Sequence, residues 1–219
     1  YLEERYPDFP GLNLSWEVRE GIVKHSSVFD IAVSIKEFFP AKMPTLEAQI
    51  VDIADEIAYD NHDLDDGLTS GLIKEEDLEG FEIWDKINRK INQKYAKIDS
   101  SRRKYLIIRG LIDLQVTDLI QQTKANIARF KIKEYAGLAK INTKVVDFSK
   151  EVKGLRKPLR QFLMQRLYHH YRVMRMSIKA KRFIRELFCE YVRRPQQLPS
   201  EVQARISKEG AKRVVCDYI

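Results

Sequence analysis

The chain is 219 residues long, 44% hydrophobic and 10% aromatic, with a formal net charge of +7. That length and apolar content support a buried core in one large or two smaller domains and exclude a chain that is disordered throughout. No apolar run reaches the roughly 20 residues that cross a bilayer, the start YLEERYPDFPG has no signal-peptide character, and Cys189 and Cys216 show neither zinc-ligand spacing nor a disulfide framework, so a cytoplasmic protein is expected.

Helical periodicity dominates and strand-like alternation is rare, so the expected class is all-α. Tyr1 to Gly11 reads as a helix end and a Pro-Gly turn, and Ser15 is placed to cap a helix over Trp16 to His25. Ser26 to Lys42 has the mixed content of a lid or insertion, after which Pro40 and Pro44 bracket a turn and Thr45 caps the next helix. That helix, Leu46 to about Gly67, concentrates eight acidic residues, and no Lys or Arg occurs between Lys42 and Lys74. Leu46, Ile50, Ile53, Ile57 and Leu64 recur at helical intervals and mark its buried face. Asp55, Tyr59 and Asp63 fall at i, i+4 and i+8, a column that drifts only about 40° over two turns. Asp60 lies on another face and is expected to be dispensable for both stability and activity. By spacing alone, a solvated acidic face explains this column better than a site does.

Two long helices follow, over Phe81 to Ile98 and Ser101 to Phe130, with Asp99-Ser100-Ser101 as the break and cap. In the second, Ile108, Leu111, Ile112, Val116, Leu119 and Ile120 sit at core spacing. Arg109 stands alone among them and is expected to pair with a structural carboxylate or a substrate phosphate, while Arg102 and Lys104 read as solvated. The pattern weakens from Lys131 to Val152, as in a loop with brief extended structure. Lys157-Pro158 is then expected to open a helix running to Val192. Its basic stretch, Lys150 to Arg185, interleaves Phe162, Tyr168, Tyr171 and Phe183, which suits base stacking on a nucleic-acid surface. Equally, Phe162, Leu163, Leu167, Val173, Met174, Ile178, Phe183 and Leu187 make the core stripe of a packed amphipathic helix with a basic outer face. Pro195 and Pro199 separate this helix from a last one capped by Ser200.

The segment ADEIAYDNHDLDDGL, Ala54 to Leu68, resembles the signature that closes the metal site in deoxyguanosine triphosphate triphosphohydrolase-like enzymes, a branch of the HD-domain phosphohydrolases. YPDFPGLNLSWEVREGIVKHS (Tyr6 to Ser26), IRGLIDLQVTDLI (Ile108 to Ile120), LYHHYRVMRM (Leu167 to Met176) and VVCDYI (Val214 to Ile219) are similar to the same family in the same order. The resemblance implies an HD-domain-like helical bundle with additional C-terminal helices, with residues 1–130 as the C-terminal part of the catalytic core and 131–219 as a helical region packing on it. It further implies metal-dependent hydrolysis of deoxynucleoside triphosphates to deoxynucleoside and inorganic triphosphate.

On that resemblance, Asp55 is the last ligand of a divalent metal, Mg, Mn or similar. Tyr59 lies against the substrate's sugar and phosphate, and Asp63 accepts a hydrogen bond from the deoxyribose 3′-hydroxyl. Lys24, His25 and Arg109 join the substrate-binding set, although His25 is also explained as a cation offsetting a helix dipole. The family's remaining ligands, a His and a His-Asp pair, are expected before Tyr1. Here His-Asp occurs only at His62-Asp63, so the catalytic residues are expected upstream and the chain is expected to be part of a longer enzyme. The expected partners are a deoxynucleoside triphosphate, further copies of the chain and a nucleotide activator, with nucleic acid secondary and no membrane. Two other readings stay open, a basic all-α nucleic-acid-binding protein without catalysis and a helical assembly subunit.

Overall fold

The structure, a computed structural model, describes residues 12–25, 36–38, 43–95, 97–138 and 141–219. The expected Pro-Gly turn before Leu12, the lid-like segment after His25 and Pro40 therefore lie wholly or mostly outside the described residues. Among those described there is no strand, as the all-α reading required. The helices are α1 (Trp16–Lys24), α2 (Leu46–Thr69), α3 (Glu82–Lys94), α4 (Ser100–Arg129), the single turn α5 (Tyr135–Leu138), α6 (Lys150–Leu163), α7 (Tyr171–Arg193), α8 (Ser200–Glu209) and α9 (Ala211–Tyr218). They form two compact units that divide between Leu163 and Met164.

Helix starts follow local chemistry. The Ser15 hydroxyl accepts from the Val18 amide, Thr45 from Ala48 and the Asp99 carboxylate from Arg102, each satisfying a first-turn amide that has no partner within its helix. After α2 the chain folds back and Ile73 packs on Gly67. A Cβ there would stand 2.6 Å from Ile73 Cδ1, so a larger residue would force that side chain to shift.

In the first unit, α4 packs along α2 and α3, α6 packs on both, and α1 packs on α2. One cluster joins Leu64 to Ile83, Trp84 and Ile87 of α3, Ile107 and Leu111 of α4, and Leu155, Leu159 and Leu163 of α6. A second gathers Ile53 and Ile57 with Leu119, Val146, Phe148 and Val152. Ile50, Val116 and Ile120, expected in the core, are exposed instead. The apolar arc read from the sequence is wider than the strip that neighbouring helices cover.

The segment between α5 and α6 is tied down by buried amides. Gln49, 1% exposed, accepts from the Val145 and Val146 amides at 2.9 and 3.2 Å and donates to the Pro44 carbonyl, while Asn126 donates to the Val145 carbonyl at 2.8 Å. Two side chains thereby satisfy backbone groups that no helix ladder reaches.

α6 begins at Lys150, not at Lys157, and holds Pro158 inside it. Pro158 and Gly154, one turn earlier, are both exposed, so the ring stands in solvent and forfeits one ladder bond. The single helix expected to run to Val192 is broken by a π-helical turn, Met164–Tyr168, before α7 starts with His170 as its cap. The second unit pairs α7 with α9 and α8 with α9, and Tyr191 meets Tyr218 edge-on at 5.8 Å. Two helices stand where one was expected, separated at Gly210, whose φ of +85° favours glycine. No residue of α7 is buried, and Met174, Ile178, Phe183 and Leu187 of the expected core stripe are exposed.

Candidate functional site

The acidic helix divides its carboxylates by face. Glu56 and Asp60 turn toward α6 and meet its two arginines. Arg156 Nη2 stands 2.9 Å from Asp60 Oδ2 and 3.7 Å from Glu56 Oε2, and Arg160 stands 2.9 Å from Glu56 and 3.3 Å from Asp60. The Arg156 guanidinium also lies over the Phe148 ring at 4.2 Å. Burial raises the Asp60 carboxyl despite the Arg160 and Arg156 charges beside it, and burial lowers Arg156. Asp60 is therefore an ion-pair partner of both arginines, which argues against the expectation that it is dispensable for stability. Lys104, read as solvated, is 16% exposed at its side chain and reaches Asp65 and Thr69, each at 2.7 Å.

The other face of α2 meets α1. A groove of about 950 Å³ between the two helices is lined by Val18, Ile22 and Val51 on its apolar side and by His25, Asp52 and Asp55 on its polar side. His25 caps the end of α1, and its Nδ1 lies 2.5 Å from Asp52 Oδ1. Asp52 is nearly buried, so this contact holds the imidazole at the groove wall. Asp55, one turn on, is exposed and makes no hydrogen bond or ion pair among the described residues.

Tyr59 and Asp63 continue the column beyond Asp55. The Tyr59 ring is 43% exposed. Asp63 Oδ2 is buried without a hydrogen-bond partner among the described residues, and its carboxyl is pushed up to about 6 by burial, reinforced by the Asp60 and Asp66 charges. An ionised carboxylate with an unmet oxygen is an acceptor waiting for a donor.

The remaining candidates fall elsewhere. Lys24 is 12% exposed at its side chain and bonds Glu20 at 2.6 Å, and Glu20 is fully buried. Arg109 is exposed on α4, and no contact among the described residues joins it to the α2 column or to a carboxylate. His62 is exposed, between Asn61 and Asp63 but off the column. Asp52 and Glu20 did not stand out in the sequence. Asp52 was one carboxylate among eight, and its link to His25 spans 27 positions.

No group of three or more His, Cys, Asp or Glu side chains among the described residues is arranged to hold a metal ion. Asp55 has the exposure and the open oxygens of one ligand but does not make a metal centre with the described residues alone.

The helical fold carries a recognisable class. Residues 146–219 match the phosphohydrolase-associated domain model, whose span begins at Val146 on the Gln49 clamp and includes both arginines of α6. All 219 residues align with deoxyguanosinetriphosphate triphosphohydrolase-like proteins, at 49% identity in Geobacter metallireducens and 45% in Geobacter sulfurreducens. A relative of the same description in Bordetella pertussis is 37% identical over the whole chain. The chain is similar to these proteins along its whole length, and it spans 57% of the length of each of these three relatives.

Proposed function

We propose that the full-length protein hydrolyses deoxynucleoside triphosphates to the deoxynucleoside and inorganic triphosphate in a metal-dependent reaction. The observation that carries this reading is 49% identity, over every residue of the chain, to a deoxyguanosinetriphosphate triphosphohydrolase-like protein. Supporting it, Asp55 and Tyr59 are exposed on α2 and Asp63, one turn further on, is half-buried with an oxygen that lacks a partner among the described residues. In the reaction water adds to the α-phosphorus and the bond to the 5′-oxygen breaks. The nucleoside leaves with a proton on that oxygen, and the water oxygen stays on the triphosphate.

Each residue has a chemistry suited to this role. A divalent metal would supply the activated water, and Asp55 would be one of its carboxylate ligands. The Tyr59 ring offers an apolar face to the sugar. Asp63 would accept from the 3′-hydroxyl through its unsatisfied oxygen, and as an anion it would repel a 3′-phosphate. Val18, Ile22 and Val51 would give the groove an apolar lining on the side next to Asp55.

The test is direct. Full-length protein with Mg²⁺ or Mn²⁺ should release one inorganic triphosphate per deoxynucleoside from dGTP and should be inactive in excess chelator. Pyrophosphate or monophosphate as the first product would sink the assignment.

A second reading rests on α7. Arg172 and Arg175 lie over Tyr171 at 5.8 and 5.6 Å, and Lys179 and Arg182 lie over Phe183 at 5.5 and 5.3 Å, all on a helix without a buried residue. Such cation and ring pairs suit single-stranded nucleic acid. Binding that weakens steeply with salt and is lost in Phe183→Ala would support it.

A further inference from the structure

We propose that Arg156 and Arg160 are positioning residues that lock the rotation and register of α2, and thereby set where Tyr59 and Asp63 stand. This rests on the proposed reading of that column as the substrate-binding face. The geometry is a closed quadrilateral. Two arginines one turn apart on α6 grip two carboxylates one turn apart on α2, and each guanidinium lies within 4 Å of both acids, at 2.9 and 3.7 Å for Arg156 and 2.9 and 3.3 Å for Arg160.

Apolar packing alone leaves α2 some freedom. Ile53, Ile57 and Leu64 present similar aliphatic surface, so apolar contacts distinguish one register of the helix from another less sharply than charges do. A slip of one turn would leave one acid and one arginine unpaired and half-buried, a much larger penalty than a shifted methyl contact. Buried polar pairs are best attested in this role, as specifiers of register.

The acids and the column share one stretch of backbone. Glu56 follows Asp55, and Asp60 follows Tyr59. Whatever fixes Glu56 and Asp60 fixes the column as well. At the N-terminal end of α2 the Gln49 clamp does a separate job, and the Arg156 guanidinium itself lies over the Phe148 ring. The matched phosphohydrolase-associated domain supplies Phe148, Arg156 and Arg160, so its contribution to the first unit is to hold the acidic helix in place.

The experiment uses the full-length protein with Arg160→Ala and Arg160→Lys. Hydrogen exchange in Arg160→Ala should rise over 55–66 and stay unchanged over 46–52, where the Gln49 clamp is intact. KM for dGTP should rise about tenfold or more with a smaller change in kcat. Arg160→Lys keeps the charge without the fork and should fall between Arg160→Ala and wild type.

If Arg160→Ala does not fold, Arg160→Lys carries the same two measurements. Unaltered exchange over 55–66 in a folded variant overturns the lock, whatever the activity. Altered exchange with KM within about twofold of wild type overturns the positioning role. A wild-type protein that releases no triphosphate defeats the proposed function alone, because hydrogen exchange still decides the lock.

Discussion

α2 buries seven of its residues, among them Ile53, Ile57 and Leu64, whereas α7, of nearly equal length, buries none and leaves Met176 and Ile178 each 62% exposed. Both helices show apolar residues at helical spacing, and the sequence reading gave both a core stripe. Periodicity identifies a face that can be covered, but a second element must cover it. α4 and α6 reach α2 from far along the chain, while α7 meets α9 and the short turns beside it. The two helices also handle charge differently. α2 places Glu56 and Asp60 against arginines from α6 and leaves Asp55 open, whereas the cations of α7 remain on a solvent-exposed surface.

The widest separation between these regions should appear in activity. In the full-length protein, Asp55→Ala should lower triphosphate release by about 100- to 1,000-fold, the usual cost of a charge contact made in the transition state, with helical content unchanged by circular dichroism. Equal activity of the variant and wild type would return the column to a solvated acidic face.

Next in size is Asp60→Ala. Its side chain is 18% exposed, and its removal leaves Arg156 and Arg160 to share Glu56. The expected loss is about 2 to 3 kcal/mol, somewhat below that of a fully buried pair, or a Tm lower by about 4 to 12 °C. A shift under about 1 °C would show that the quartet is no stronger than a surface ion pair.

Asp63→Asn probes the same helix through pH. Burial holds the folded carboxyl at about 6, above the unfolded value near 3.9, so the folded state binds the proton more tightly. The wild type therefore gains stability from protonated Asp63 at low pH and loses it as pH rises from about 4 through about 6. The variant lacks this loss. Its Tm advantage over wild type should be greatest at pH 7.5 and smallest at pH 4, and a difference independent of pH would refute the burial argument.

Smallest of all is the change expected on α7. Ile178→Ser removes an exposed side chain and should alter stability by less than about 0.5 kcal/mol in thermal unfolding of the isolated chain. A large loss would mean that the face is covered in solution, and the contrast between the two helices would close.

Much of this was legible from local chemistry. Ser15, Thr45 and Asp99 act as helix caps because a short polar side chain reaches an amide two or three residues on, a relation contained within one turn. The all-α class and the likeness to the triphosphohydrolase-like proteins came from patterns that persist along the chain. The Asp55, Tyr59 and Asp63 alignment is a property of one helix and needs no partner. The π-helical break before α7 and the helix beginning at Lys150 were not legible, since Pro158 looked like a start and only its solvent-exposed setting makes it tolerable inside α6.

Long-range pairing had to wait for the fold. Asp60 with Arg156 is separated by 96 positions, and Gln49 with Val145 by the same number. Eight carboxylates in one helix look equivalent as a string of residues. Their environments separate them: Glu56 and Asp60 are neutralised by α6, Asp52 is held by His25, Asp63 is desolvated, and Asp55 is left open. Covalent order and 3.6-residue geometry set which side chains share a face. Which of those faces is dry, paired or free depends on the elements that pack against it, because charge energetics follow burial and the nearest opposite charge.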